Sequence, residues 1–361
     1  MLVCLNQWLK QQDIELTVIA DEAATVTRQH GLPAVQNYPF LGQFSRVESL
    51  LRGKARLTLA ALSQSDLILC GGGDIIRDQK GWRTFTFQVE TLAFSLLLGK
   101  PVFLLNVGLS TPVTRYGRAT LKWLLPRLKG IVVRDQRSVD LCEASGVKRK
   151  VHLLPDIVRR MPDLLPAASI KSQPARTAVL VALHGDSNVY GQYSMPDFRI
   201  ATFANLLDDL VEKHNLDIEF FPFQPEQDGG DALMAARVQS RMHHASRSRI
   251  LDWTIDVAEV ASRFARSHVV IAMRLHAAVL AATYSSPCIL MPYDQKVVEF
   301  GQQAIIPHVL TPDLLDAPDK AHKFLDEAMR GLVVPQPLEP CADWLTLTLK
   351  EFYNADRKQS I

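Results

Sequence analysis

"VIAMRLHAAVLAA" at residues 270–282 opens as an apolar strand, carries Arg274 and His276 in its middle, and closes as small residues at buried-helix length. A strand that runs straight into a helix is the repeating unit of an α/β fold. An isolated cation is expensive to bury, so groups at such a junction are paired, neutralised or held at the mouth of a site. In open parallel sheets that mouth lies beyond the carboxyl ends of the strands, which is where Arg274 and His276 stand.

The same alternation runs outward from this stretch. In the first part of the chain "IELTVIA" (14–20), "DLILCGGG" (66–73), "PVFLLNVG" (101–108), "GIVVRD" (130–135) and "KVHLLPD" (150–156) are strand-like. Helical runs such as "FQVETLAFSLLLG" (87–99) and "RSVDLCEASG" (137–146) separate them, the latter ending on a glycine suited to a C-cap. A stretch rich in Pro, Ala and Ser at 161–178 looks like a linker. After it the pattern restarts with "AVLVALHGD" (178–186), a long helix within 195–215, "DIEFFPF" (217–223), "HVVIAM" (268–273) and "PCILMPYD" (287–294). The expected fold class is therefore α/β, with two doubly wound domains at 1–165 and 176–335 facing one another across a cleft. An amphipathic helix at 340–357 is expected to pack back toward the first domain.

Composition narrows the function classes. A chain of 361 residues exceeds what one core usually serves, and 47% hydrophobic residues with a net charge of +2 describe a globular protein without a polyanion-wrapping surface, so no nucleic-acid partner is expected. The five cysteines are odd in number and widely spaced, which favours reduced thiols and a cytoplasmic setting. The most apolar segment, 92–109, is broken by Gly99, Lys100 and Pro101, and the opening residues lack a basic leader.

The unusual polar residues fall at strand ends. Gly71, Gly72 and Gly73 permit a sharp turn and close ligand approach, with the N–H groups of a following helix open to an anion; a tight strand-to-helix turn explains them equally well. Arg274 and His276, two apart, share one side while the chain is extended. Lys296, one strand further on, adds a second cation or is a solvated lysine at a helix start. Arg134 reaches a ligand or pairs with Asp135, and Ser138 caps the next helix. His184 and Asp186 form an acid/base pair or a local turn. Cations with a histidine and glycine-rich turns suit a small, acidic, phosphorylated ligand. No metal-ligand spacing, GxSxG or Walker A sequence is present.

In order, "DLILCGGGDIIRD" (66–78), "LGKPVFLLNVG" (98–108), "GIVVRDQRSVDLCEASGV" (130–147), "LPD" (154–156), "FFPFQPEQD" (220–228) and "MRLHAAVLAATYSSPCILMPYDQKVVEFG" (273–301) resemble the polysaccharide pyruvyltransferase family, especially its CsaB-type branch. The resemblance implies a GT-B-like fold of two Rossmann-like domains. It also implies transfer of pyruvate from phosphoenolpyruvate, a co-substrate acting without cofactor or metal, to two hydroxyls of a sugar. That sugar belongs to a cell-surface polymer or its lipid-linked precursor, and the product is a ketal.

On that resemblance His276 is the proton donor and Arg274 and Lys296 hold the anion. Gly71, Gly72, Gly73, Asp74 and Arg134 serve the acceptor side, and His184 joins the catalytic candidates. Asp74 stands where the family commonly has serine, and His184 where it often has arginine, so the acceptor or donor preference is expected to differ. The chain opens within a helix, without the strand and glycine loop of family members; a start further upstream, or a weakly stable fragment, is the expectation.

Two alternatives remain at this level: a GT-B glycosyltransferase using a nucleotide sugar, and a binding homologue that has lost its chemistry. Two basic stretches, 115–130 and 237–249, are either solvated helix faces or contacts to an anionic membrane at the inner face of which the enzyme would work.

Overall fold

Val102–Leu109 is buried at all eight positions, as only a strand covered on both faces can be. A computed structural model of the chain describes residues 2–11, 13–37, 54–76, 78, 81–164, 177–185, 194–224 and 230–336. The chain divides into two compact units between Ile157 and Val158, ahead of the expected boundary at 165. Of the linker expected at 161–178, Met161–Leu164 are helical and Ala178 opens a strand, while residues 165–176, and the helix expected at 340–357, lie outside the described residues.

The first unit contains α1 (Leu2–Gln11), β1 (Val18–Ala20), α2 (Ala23–His30), β2 (Ala34–Gln36), α3 (Lys54–Gln64) and β3 (Ile68–Ile76). It continues with α4 (Trp82–Leu97), β4 (Val102–Leu109), α5 (Arg115–Leu124), β5 (Gly130–Val133), α6 (Gln136–Ala144) and β6 (His152–Leu153). Strands β3, β4, β5 and β6 form a parallel sheet in that order, and β1 pairs with β2 separately. Parallel neighbours need crossover helices, which is why helix and strand alternate here. The core gathers around Phe85, Leu104, Leu121 and Ile131, all fully buried.

Within β4, Asn106 adopts a left-handed backbone with φ of 55°. Its side chain reaches the segment after β6, donating from Nδ2 to the Pro155 carbonyl at 2.9 Å and accepting the Ile157 N–H at 2.8 Å. The bonds hold a conformation that costs an L-residue about 1 kcal/mol.

The second unit contains α7 (Met161–Leu164), β7 (Ala178–Ala182), α8 (Asp197–His214), β8 (Asp217–Phe220), α9 (Asp231–Gln239), β9 (Ser248–Ile250) and α10 (Val257–Arg266). It continues with β10 (Val269–Ala272), α11 (Leu275–Thr283), β11 (Cys288–Leu290), α12 (Gln295–Gln303), α13 (Pro312–Leu315) and α14 (Pro318–Arg330). Its five strands are parallel, in the order β11-β10-β7-β8-β9. Helix α8 ends on Asn215 in the left-handed conformation, and α10 begins on Asp256, whose carboxylate caps the N–H groups of Ala258 and Glu259. Helix α11 is apolar nearly all round and correspondingly buried from Ala277 to Ala282. The α/β class with parallel sheets expected from the sequence is that observed.

Candidate functional site

In the second unit the chain builds outward from β7 through β8 to β9, then returns to the other side of β7 for β10 and β11. The crevice at such a reversal, beyond the strand ends, is where open α/β sheets bind ligands. His184 leaves the end of β7, and Arg274 follows β10 as the extended N-cap of α11. The N–H groups of Met273 and Arg274 both reach the Ala182 carbonyl, at 2.9 and 3.3 Å, so the two strand ends are tied together.

A third element closes the group. Asp231, the first residue of α9, is 2% exposed. Its Oδ1 accepts the Gly185 N–H at 3.1 Å and a short hydrogen bond from Arg274 Nη2. Its Oδ2 accepts the N–H groups of Phe223 and Gln224 at 3.0 and 3.2 Å. One carboxylate thus joins the loops after β7, β8 and β10. The approach depends on glycines, since a Cβ on Gly185 would lie 2.2 Å from the Gly230 Cα. Arg274 Nε is buried without a hydrogen-bond partner among the described residues, a deficit of about 1–3 kcal/mol that an anionic ligand would relieve.

His184 stands beside this pair with its ring 4.2 Å from that of Tyr293. Its Nδ1 lies 2.7 Å from the Gly185 carbonyl. A carbonyl can only accept, so the proton sits on Nδ1 and Nε2 carries the lone pair. Burial, followed by the charge of Arg274, lowers its pKa to about 4, so the ring is neutral at pH 7. Lys296 Nζ lies 5.1 Å from the centre of the Tyr293 ring and 3.5 Å from Asp294 Oδ2. Arg274 and Lys296, each paired with a carboxylate, therefore form with His184 and Tyr293 one polar, partly aromatic group.

Several sequence-based expectations need correction. His276 does not share an extended face with Arg274: the strand ends at Ala272 and His276 is the second residue of α11. The three glycines do not form the turn into a helix. Strand β3 runs through them to Ile76, with φ of 85° and 78° at Gly72 and Gly73, and α4 begins only at Trp82. Gly71 is explained by strand packing, because its Cβ would meet the Leu105 carbonyl at 2.9 Å. Asp74 lies on β3, with its side chain outside what is described, and Asp186 lies outside altogether. Arg134 pairs with Asp156 at 3.4 Å, not with Asp135. Asp135 caps α6 by accepting the Ser138 N–H at 2.8 Å, and the Ser138 hydroxyl accepts the Leu109 N–H at 2.8 Å.

A model of the polysaccharide pyruvyl transferase family matches residues 1–295. The chain belongs to that family. Among solved structures, this pyruvyl transferase family member is similar to UDP-GlcNAc 2-epimerase from Methanocaldococcus jannaschii. The TM-score is 0.57 at 11% identity, over 90% of this chain and 88% of that one. It is also similar to a putative UDP-N-acetylglucosamine 2-epimerase from Listeria monocytogenes, with a TM-score of 0.54 at 10% identity over 93% and 88% of the two chains. At such identities the likeness concerns fold alone, and that fold is GT-B-like. No curated protein matches the sequence.

Two residues of the candidate site were absent from the sequence-based candidates. Tyr293 belongs to the stretch shared with the family, but its ring contact with His184 has no sequence signal. Asp231 follows two glycines and opens a helix, which reads equally well as a favourable charge at a helix start; its bonds to three loops appear only in the fold.

Proposed function

We propose that the protein, as a member of the CsaB-type branch, moves the pyruvyl group of phosphoenolpyruvate onto two hydroxyls of a sugar in a cell-surface polysaccharide or its lipid-linked precursor. The carrying observation is the half-buried Arg274, whose Nε is buried without a hydrogen-bond partner among the described residues, at the strand-order reversal beside Lys296 and a neutral His184. Arginine suits a planar carboxylate and lysine a compact phosphate charge.

The reaction balances as follows. His276 gives a proton to the methylene carbon, which becomes the methyl group, and C2 gains electrophilic character. One sugar oxygen bonds to C2, the C2–O bond to phosphate breaks, and the second sugar oxygen closes the ketal. Of the two hydroxyl protons, one replaces that given by His276 and the other leaves with phosphate. His184 Nε2 accepts a hydrogen bond from an incoming hydroxyl, a role that needs the neutral ring. On the first unit, Gly72, Gly73 and Asp74 are assigned to the acceptor, while Gly71 and the neutralised Arg134 support the fold around them.

The test is acceptor-dependent phosphate release from phosphoenolpyruvate, using a panel of lipid-linked sugars, with His276→Ala and Arg274→Ala alongside. Loss of at least a hundredfold in both variants is the expected result. Wild-type turnover in either removes its assigned role. Absence of release together with nucleotide-sugar binding would favour a glycosyltransferase, and ligand binding without any turnover an inactive homologue.

A further inference from the structure

Helix α5 buries Gly117, Leu121 and Leu124 and turns its other side outward. At 100° per residue, Arg115, Arg118 and Lys122 fall in one outward row, and Tyr116 and Trp123 in the row beside it. Tyr116 is 44% and Trp123 37% exposed, and Val113, just before the helix, is 61% exposed. Arg127, in the turn that follows, lies over the Trp123 ring with its guanidinium carbon 5.0 Å from the centroid. The Tyr116 hydroxyl meets Thr86 Oγ1 at 2.9 Å, fixing that ring in place.

The cations on this face lack ion-pair partners among the described residues; the nearby Asp78 carboxylate is buried and taken up by the Val113 and Thr114 N–H groups and the Thr114 hydroxyl. Arg115, Arg118, Lys122 and Arg127 have no carboxylate partner among the described residues; Arg118 and Arg127 donate to backbone carbonyls instead. Residues 79–130 contain eight lysines and arginines and one carboxylate, Glu90. Glu90 is buried. The other basic stretch is the opposite case. Arg237 and Arg241 pair with Asp197, Arg247 with Asp217, Arg249 with Glu219, and His244 lies against Glu212. Of two basic stretches, one is paired with carboxylates, whereas Arg115, Arg118, Lys122 and Arg127 of the other have no carboxylate partner among the described residues.

We propose that the exposed face of α5, with Val113 and Arg127 at its two ends, docks on an anionic lipid bilayer. Cations beside outward-facing Trp and Tyr rings match a headgroup layer, which offers phosphate charge and an apolar boundary together. Nucleic acid would use the cations and leave Trp123 and Val113 idle. The inference draws its purpose from the lipid-linked acceptor proposed above, yet vesicle binding needs no substrate and is measured apart from catalysis.

The experiment is flotation of the full chain with vesicles of phosphatidylcholine alone or mixed with phosphatidylglycerol, at low and high salt. Binding is expected only to the mixed vesicles and only at low salt. Arg115→Gln with Lys122→Gln should lower partitioning about thirtyfold, and Trp123→Ala should also weaken it. Arg241→Gln with Arg247→Gln should leave it unchanged. Thermal melting identifies any variant that fails to fold, and Lys122→Gln alone then replaces the pair. Absence of flotation, equal loss in the Arg241/Arg247 variant, or wild-type flotation of the folded Arg115/Lys122 variant would overturn the proposal. Binding to heparin that ignores Trp123→Ala, without vesicle binding, would overturn it in favour of a polyanion. Phosphate release with a water-soluble acceptor should be unaffected by these variants, so failure of the docking face and failure of the catalytic reading give different results.

Discussion

The Oδ1 atom of Asp231 accepts hydrogen bonds from both Arg274 and the Gly185 N–H, so the ends of β7 and β10 share one buried carboxylate. Arg274 is thereby held at a fixed place even without a ligand. Asp231→Asn keeps the size and loses the charge. It should leave the protein folded while raising KM for the proposed donor, phosphoenolpyruvate, at least tenfold, with a smaller change in kcat. Asp231→Ala leaves a half-buried cation and three N–H groups without this acceptor and should cost about 3 kcal/mol of stability. Steady-state kinetics and urea unfolding separate the two effects.

His184 makes stability depend on pH in a defined window. Its unfolded imidazole titrates near 6.5 and its folded one at about 4, so folding excludes a proton between those values. The contribution is complete above pH 6.5 and is lost as pH falls toward 4, because the unfolded state takes up the proton first. The loss attributable to this residue is about 3 kcal/mol at most. Urea midpoints at pH 7.5 and 5 should fall more steeply for the wild type than for His184→Gln. Parallel slopes would mean that the ring is not held neutral.

The Arg134–Asp156 pair separates a supporting arginine from a ligand-binding one. Both side chains are largely buried, at 8% and 7% exposure. Asp156→Ala alone should destabilise by about 3 kcal/mol, whereas Arg134→Met with Asp156→Leu should be close to neutral. Activity surviving in the double variant would confirm the supporting role. A folded but inactive double variant would return Arg134 to the substrate.

Asn106 offers a test of backbone geometry. Asn106→Ala loses the side-chain bonds and keeps the left-handed φ, for an expected cost of about 3 kcal/mol. Asn106→Gly loses the same bonds without the steric cost and should be the milder change. Thermal melts of the two variants order them; alanine milder than glycine would mean that the backbone relaxes out of this conformation.

The alternating architecture was legible because parallel strands such as Val102–Leu109 and Val269–Ala272 are apolar throughout and stand out from amphipathic helices. The three-residue strands Ala34–Gln36 and Ser248–Ile250 were not. Polar residues at Gln36 and Arg249 break their apolar pattern, and only their neighbours make them strands. At the site, Arg274, His184 and Lys296 were visible as polar residues at apolar strand ends. Their common partners were hidden, because Asp231 and Tyr293 act across loops far apart in sequence. The glycine run misled for a local reason: positive φ at Gly72 and Gly73 occurs within a strand, where sequence suggests a turn.

The glycine contact behind the site has a consequence for inheritance. A side chain at Gly185 would strike the Gly230 backbone, and one at Gly230 would come within 3.2 Å of Gly185 and Gln224. Neither loop can absorb a change by mutating the other, since each already presents the smallest residue. Proteins that descend with this arrangement should therefore keep both glycines together with Asp231. A homologue bearing a larger residue at the Gly185 position must anchor its arginine differently, and its preference for donor would be free to drift.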